Sequence, residues 1–83
     1  MQILKVEGSL NCTARIHGLK HAALRVLQDK KGGRVVATDP VGAEPGNWVF
    51  VTSGSAARYT AGDFEILTDL AVCGIIDNWS DDE

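Results

Sequence analysis

Hydrophobic and polar residues alternate along the first twelve positions of the chain. The apolar side of this alternation carries Leu4, Val6, Leu10 and Cys12, and the positions between them are polar or charged. A period of two predicts a half-buried β-strand over residues 1–12. Gly8 lies within this run and is expected to mark a bulge or a bend.

A β-hairpin is predicted after a polar loop. Residues 22–27 alternate in the same way and lead into the glycine-bearing segment 29–33, after which 34–38 is rich in β-branched residues. A polar turn between two such runs is typical of a hairpin. Asp39 and Pro40 are expected to end the returning strand, because proline has no N–H to donate to a ladder.

The strongest strand candidate is the segment 48–52, which follows a proline-glycine turn and is aromatic and β-branched. It runs into the small residues 53–58, where Ser53 or Ser55 is expected to cap one short helical turn. The polar connection 59–69 is expected to lie across the open end of a barrel.

The last strand is predicted at 70–76, with Leu70, Val72 and Ile76 on one face. Short strands with regular turns, one helical turn and no long helical pattern indicate an all-β fold, a small five-stranded OB-like β-barrel. Residues 1–83 are interpreted as one domain, in which 78–83 form an acidic, mobile tail.

Both faces of the predicted strand 48–52 are apolar. Trp48 and Phe50 point one way, and Val49 and Val51 point the other, so a core on one side leaves the second row uncovered. A domain of 83 residues buries only about 60% of the surface that its unfolded chain exposes. We therefore expect identical subunits to cover the second row.

Composition narrows the possible functions. The formal net charge is -3 and the sequence pI is about 5.2, which argues against a surface that tracks nucleic-acid phosphates. No apolar run approaches the roughly 20 residues that span a bilayer, and no signal-peptide pattern is present. We expect a soluble, intracellular protein without a membrane partner.

Candidate catalytic and metal sites are weak. The sequence around Ser53 and Ser55 lacks the second glycine of a nucleophile elbow and the lysine of a P-loop. His17 and His21 have a spacing that would suit zinc on a helix, but Gly18 argues against that helix, and two solvated loop histidines are the alternative. We expect no metal and no cofactor.

Other reactive side chains have ordinary explanations beside functional ones. The carboxylates Asp63, Glu65 and Asp69 either hold a cation, serve as an acid and base pair, or simply solvate and pair a loop. Cys12 and Cys73 are expected to be buried thiols, with a disulfide as the alternative if the first and last strands are neighbours. Trp79 is either a lid on the core or an anchor for a partner.

Four segments in order resemble one known family. These are 39–43 (Asp-Pro-Val-Gly-Ala), 45–49 (Pro-Gly-Asn-Trp-Val), 54–58 (Gly-Ser-Ala-Ala-Arg) and 74–77 (Gly-Ile-Ile-Asp). Together they resemble the bacterial microcompartment vertex proteins of carboxysome and ethanolamine-utilisation shells over essentially the whole chain. Residues 63–70 look most like the second vertex paralogue, paralogue B, of alpha-type carboxysomes.

The resemblance implies a structural role. It implies an OB-like barrel that assembles as a cyclic homopentamer, caps the five-fold vertices of the polyhedral shell and catalyses no reaction. The shell would close around rubisco and carbonic anhydrase in the bacterial cytoplasm, with hexameric shell proteins as partners.

The same resemblance suggests where the ring is built. It places Ser53, Gly54 and Ser55 around the five-fold axis, either as a pore weakly attractive to anions or as packing residues around a plugged hole. Arg58 is expected to pair with Asp63 or Asp69 within the ring. The expected subunit interface comprises Trp48, Phe50, Arg58 and Ile75.

Two other function classes remain as alternatives. An OB-like barrel also suits single-stranded nucleic acid, although aromatic residues make up only 6% of this acidic chain. A small anion-gated or metal-dependent enzyme could instead be built from the elbow Ser53 to Ser55 and the acidic loop. A binding assay at low salt and the effect of Ser55→Ala on hydrolysis would distinguish these from a shell protein.

Overall fold

The computed structural model describes residues 1–78 as a closed five-stranded barrel with one short helix. The elements are β1 Gln2–Ser9, a 3-10 turn His17–Leu19, β2 Leu24–Gln28, β3 Arg34–Thr38, β4 Trp48–Ser53, α1 Ser55–Thr60 and β5 Leu70–Ile76. The strand order around the barrel is β1-β2-β3-β5-β4, and all pairings are antiparallel except β3 with β5. The predicted all-β barrel is confirmed.

The core is aliphatic and lies inside the barrel. Val49 and Val51 on β4 are 0% and 1% exposed, whereas Trp48 and Phe50 are half-buried on the outer wall. β4 therefore carries apolar side chains on both of its faces, as predicted. The core cluster consists of Leu4, Val6, Leu27, Ala37, Ala43, Val49, Val51 and Val72.

Two β-bulges change which residues face inward. In β1 the register shifts between Val6 and Gly8, as Gly8 predicted. In β5 the register shifts at Cys73, because Gly74 pairs with Phe50 while Val72 pairs with Val51. The extra residue reverses the alternation. The prediction that Val72 and Ile76 share a face is therefore wrong.

A buried carboxylate organises the loop between β3 and β4. The Asp39 side chain accepts N–H groups of Val41, Gly42 and Ala43 at 3.1, 2.9 and 2.7 Å. The same carboxylate accepts a hydrogen bond from Arg25 Nε at 2.9 Å. The Asp39 side chain is 0% exposed. Asp39 thus does more than end β3, since it fixes the path of the chain toward β4.

The loop after β1 is bound to the connection between α1 and β5. Leu67 N–H donates to Gly18 O at 3.0 Å, and Lys20 Nζ lies 2.5 Å from Asp63 Oδ2. The hydrogen bond from Lys20 and a backbone N–H from Glu65 lower the pKa of Asp63, and the same hydrogen bond raises the pKa of Lys20. This Lys20–Asp63 bridge holds two long loops together.

We expect Asp63→Asn to loosen this contact, so that the Leu67 amide exchanges with solvent faster than in the parent protein. Because folding lowers the pKa of Asp63, its stabilising contribution is present above the ordinary Asp value of about 4 and is lost as the pH falls below it. The parent and the variant should therefore converge in acid. Amide exchange followed by NMR measures the difference.

Glu65→Gln is the matched control, because Glu65 lies farther from Lys20, at 3.8 Å, and its side chain is 84% exposed. It should leave Leu67 exchange nearly unchanged. An equal effect of both substitutions, or an Asp63→Asn effect that persists in acid, would contradict the assigned role of the Lys20–Asp63 bridge.

Candidate assembly surface

A sharp turn joins β4 to α1 at residues 53–55, which we call the 53–55 elbow. β4 ends at Ser53, Gly54 has φ 68° and ψ −148°, and α1 begins at Ser55. All three residues are exposed, and Gly54 N–H donates to Asp69 O at 3.0 Å. The elbow is thus a solvent-facing point that is tied to the start of β5.

Gly54 itself is the N-cap of α1, and no side chain caps this helix. The expectation that Ser53 or Ser55 caps the turn is therefore wrong. The φ and ψ of Gly54 lie in a region that is essentially restricted to glycine. A Cβ at this position would meet nothing within 4 Å in the subunit, so one subunit alone supplies no crowding at the elbow.

The outer row of β4 is partly covered by its own chain. Lys5 Nζ lies 5.8 Å from the ring centroid of Trp48, a cation–π arrangement. The ring of Phe50 lies over Gly74, where a Cβ would come within 2.6 Å of Phe50 Cε1. Gly74 therefore leaves the space that the Phe50 ring occupies.

The four expected interface residues do not lie on one face. Ile75 pairs with Val49, whose side chain points inward, so Ile75 is on the opposite side of the sheet from Phe50. Ile75 is nevertheless 37% exposed. Arg58 lies on α1, apart from the outer row of β4.

Two aromatic residues that the sequence did not single out, Tyr59 and Phe64, lie beside Arg58. The guanidinium carbon of Arg58 lies 5.6 Å from the ring centroid of Phe64, and Phe64 and Tyr59 have ring centroids 4.7 Å apart. Tyr59 is 70% exposed and Phe64 is 45% exposed. Within the chain, Asp63 binds Lys20 rather than Arg58. Arg58, Tyr59 and Phe64 thus form an exposed, partly aromatic surface beside the elbow.

The cysteine expectations are corrected by the strand order. Cys12 lies beyond the end of β1 and is exposed, and Cys73 is half-buried at the bulge in β5. Both thiols are free. β1 pairs with β2 and β4 but not with β5, so the topology does not bring the two cysteines together. Cys12 is therefore not the buried thiol that the alternation predicted.

The candidate metal ligands are not gathered into a site. His17 begins the 3-10 turn, His21 follows it, and both are exposed. Within residues 1–78, no group of three or more His, Cys, Asp or Glu side chains is placed to hold a metal ion. Trp79 lies outside the described residues. Among the described helices, none combines the length and apolar character needed to cross a bilayer.

Comparison with known sequences places the chain in a family. The sequence model described as ethanolamine utilisation protein EutN/carboxysome matches residues 1–77. The carboxysome shell vertex protein CsoS4B of Halothiobacillus neapolitanus is 54% identical over 79 residues, covering 95% of this chain and 98% of that protein. The vertex protein CsoS4A of the same organism is 43% identical over 81 residues, covering 96% and 98%.

Solved structures agree with the sequence matches. The structure of CsoS4B from Halothiobacillus neapolitanus superposes with a TM-score of 0.88 and covers 94% of this chain and 100% of that one. GrpN, a pentameric microcompartment shell protein from Rhodospirillum rubrum, is 32% identical, with a TM-score of 0.79 and coverage of 96% and 98%. The two carboxysome relatives are named as shell proteins rather than as enzymes, which agrees with the expectation that this chain catalyses no reaction. These matches confirm the resemblance, and the chain belongs to the EutN/CcmL family of ethanolamine-utilisation and carboxysome proteins.

Proposed function

We propose that this chain is a structural subunit of a carboxysome shell and that five copies form a ring at each five-fold vertex. The observation that carries the proposal is the similarity to a carboxysome vertex protein over nearly the full length of both chains. The pentameric description of GrpN, which has the same fold, supports the ring.

Two surfaces of the barrel are candidates for the contacts within the ring. Subunits related by a five-fold axis meet through two different patches, each complementary to the other. We assign these two patches to the outer row of β4 and to the Arg58–Tyr59–Phe64 cluster, which lie on different segments of the chain. The Ile75 side chain lies on the opposite side of the sheet from Phe50. We therefore expect Ile75 to contribute less to the interface than Phe50.

We place the 53–55 elbow around the ring axis. Identical backbones converge there, and the small residues permit close approach. Two amides at the start of α1 are already used within the chain, since Gly54 N–H donates to Asp69 O and Ala57 N–H donates to Gly54 O. Fewer donors remain to attract an anion, which favours packing around the axis over an anion pore.

The proposed role follows from geometry. Six-fold units tile a flat sheet, and five-fold units are needed to close that sheet into a polyhedron. The ring would fit at a corner between hexameric shell proteins, in the bacterial cytoplasm, and would complete the enclosure of rubisco and carbonic anhydrase. The role of the chain itself would be structural and not catalytic.

The alternative of nucleic-acid binding has little support in the charge arrangement. Several basic side chains are paired with carboxylates of the same chain: Arg25 with Asp39, Arg34 with Glu7, and Lys20 with Asp63. A continuous basic groove would need such groups to face phosphates instead.

We expect cells that lack this protein and its vertex paralogue to assemble shell facets but to leave corners open. Electron microscopy of isolated shells and the retention of enclosed enzymes measure this. Expression of the parent chain in these cells should restore closure. Sealed and fully functional shells in the absence of both proteins would contradict the vertex role.

A further inference from the structure

An arginine and a carboxylate of opposite charge lie beside the 53–55 elbow. Arg58 is on α1, and its guanidinium carbon lies 5.6 Å from the ring centroid of Phe64. Asp69 is exposed, and its backbone carbonyl accepts the Gly54 N–H at 3.0 Å. Within residues 1–78, neither charged side chain takes part in a salt bridge. Both groups are therefore available to a neighbouring subunit.

The other two carboxylates of the connection 59–69 face a lysine of their own subunit. Asp63 Oδ2 lies 2.5 Å from Lys20 Nζ, and Glu65 Oε2 lies 3.8 Å from the same nitrogen. Asp69 is the third acidic residue of this connection and lies outside that group. Of the two carboxylates that the sequence suggests for Arg58, the structure therefore leaves Asp69.

Asp69 lies at the elbow end of β4, where the outer row of that strand stops. Leu70 pairs with the last residue of β4 and packs against the core. Side chains alternate along a strand, so Asp69, which directly precedes Leu70, points to the outer side of the barrel. In the ring proposed above, the neighbouring subunit's Arg58–Tyr59–Phe64 cluster faces this outer row. An acid at the end of one patch and an arginine within the other are complementary in charge.

Five-fold symmetry would bring the Asp69 side chains of all subunits close together. The hydrogen bond from Gly54 N–H ties Asp69 to the elbow, and the elbows of the five copies surround the axis in the proposed ring. Carboxylates that converge in this way repel one another, and their repulsion opposes assembly. A cation from each neighbouring copy would remove that repulsion.

We propose that Arg58 of each subunit binds Asp69 of the neighbouring subunit, so that every interface in the ring contains one such ion pair. A planar guanidinium can donate two N–H groups to a carboxylate and still lie against an aromatic ring such as that of Phe64. The pair leaves no uncompensated Asp69 carboxylate near the axis. This inference rests on the proposed ring and adds the polar contact that joins neighbouring copies around the axis.

Reversing the charge on either side tests the pair. Arg58→Glu sets two carboxylates against each other at every interface, and Asp69→Arg sets two guanidinium groups against each other. In native mass spectrometry, each single variant should need a protein concentration at least about ten-fold higher than the parent to form five-subunit rings. The variant with both substitutions should form rings at the parent's concentration. Single variants that assemble like the parent would overturn the proposal.

Mixing the two single variants distinguishes a pair between subunits from a pair within one subunit. Each contact between Arg58→Glu and Asp69→Arg subunits restores one pair of opposite charges. A five-membered ring can alternate the two kinds of subunit at four of its five contacts, so rings with two copies of one variant and three of the other should appear. Their masses identify them. If mixing restores no rings, the pair does not join neighbouring subunits, and the proposal is wrong.

Glu44→Arg is the matched control for Asp69→Arg, because Glu44 is exposed and precedes β4, at the opposite end of that strand from the elbow. It should leave ring formation unchanged and should not rescue Arg58→Glu. Rescue by Glu44→Arg would show that net charge determines assembly, which would overturn the assigned pair. A parent chain that forms no rings would contradict the proposed function itself, whereas parent rings that tolerate both charge reversals would contradict only this pairing.

Discussion

Asp39→Ala should lower the free energy of unfolding by about 3 to 5 kcal/mol, the range for removing one partner of a buried ion pair. The Asp39 side chain is 0% exposed, accepts three backbone N–H groups and binds Arg25. Alanine leaves those amides and the half-buried guanidinium without their acceptor. The loop toward β4 would lose the group that shapes it.

Denaturant unfolding at a fixed protein concentration measures this loss, because subunit association adds to apparent stability. Asp29→Ala is the matched control. The Asp29 carboxylate also accepts two backbone N–H groups, at 2.8 Å each, but it lies in an exposed turn, so its loss should cost only about 1 kcal/mol. Equal costs for the two substitutions would show that burial of Asp39 is not decisive.

Gly54→Leu should abolish the five-subunit ring. The conformation of Gly54 is restricted to glycine, so any side chain there costs of order 1 to 3 kcal/mol within one subunit. A leucine adds bulk that collides only if other copies converge on the elbow, because the subunit itself has open space there. Native mass spectrometry should find the parent at about five times 8.9 kDa and the variant at lower mass.

Gly54→Ala separates strain from crowding. Alanine carries the same backbone strain as leucine but little bulk, so we expect a less stable chain that still forms rings. If leucine and alanine reduce assembly equally, backbone strain explains the loss, and the elbow does not lie at the axis. A Gly54→Leu chain that assembles like the parent would contradict the placement directly.

The strands could be predicted closely where local residues determine them. The predicted bounds of β3 and β5, Arg34–Thr38 and Leu70–Ile76, are the observed ones, since β-branched runs there end at turn residues. Gly74 interrupts the predicted strand and is the same kind of signal that Gly8 gave in β1, but it does not show that Cys73 is the extra residue. The effect of this bulge on the direction of the last two residues of β5 therefore required the structure.

The candidate site was predicted in part. The small residues of the 53–55 elbow indicated close approach, but the backbone of Gly54, not a serine side chain, determines the start of α1. The position of Asp39 before Pro40 predicts only the end of a strand. The sequence Asp-Pro-Val-Gly at 39–42 does indicate the hydrogen bonds within the loop, because an Asp carboxylate can accept the backbone N–H groups of the residues that follow it. The partnership with Arg25 depends on strand pairing, which local sequence does not reveal.

The single parallel pairing, between β3 and β5, is the place where we expect a destabilised barrel to open first. β3 meets β5 only at Thr38 and Ala71, with a further hydrogen bond from Thr38 Oγ1 to Leu70 O at 3.3 Å, whereas β4 is paired with β5 along its whole length. Transient opening at this junction would convert a closed cylinder into a curled sheet and free the edge of β3. Asp39 follows Thr38 directly, and its hydrogen bonds to Arg25 and to residues 41–43 fix the end of β3 beside this junction.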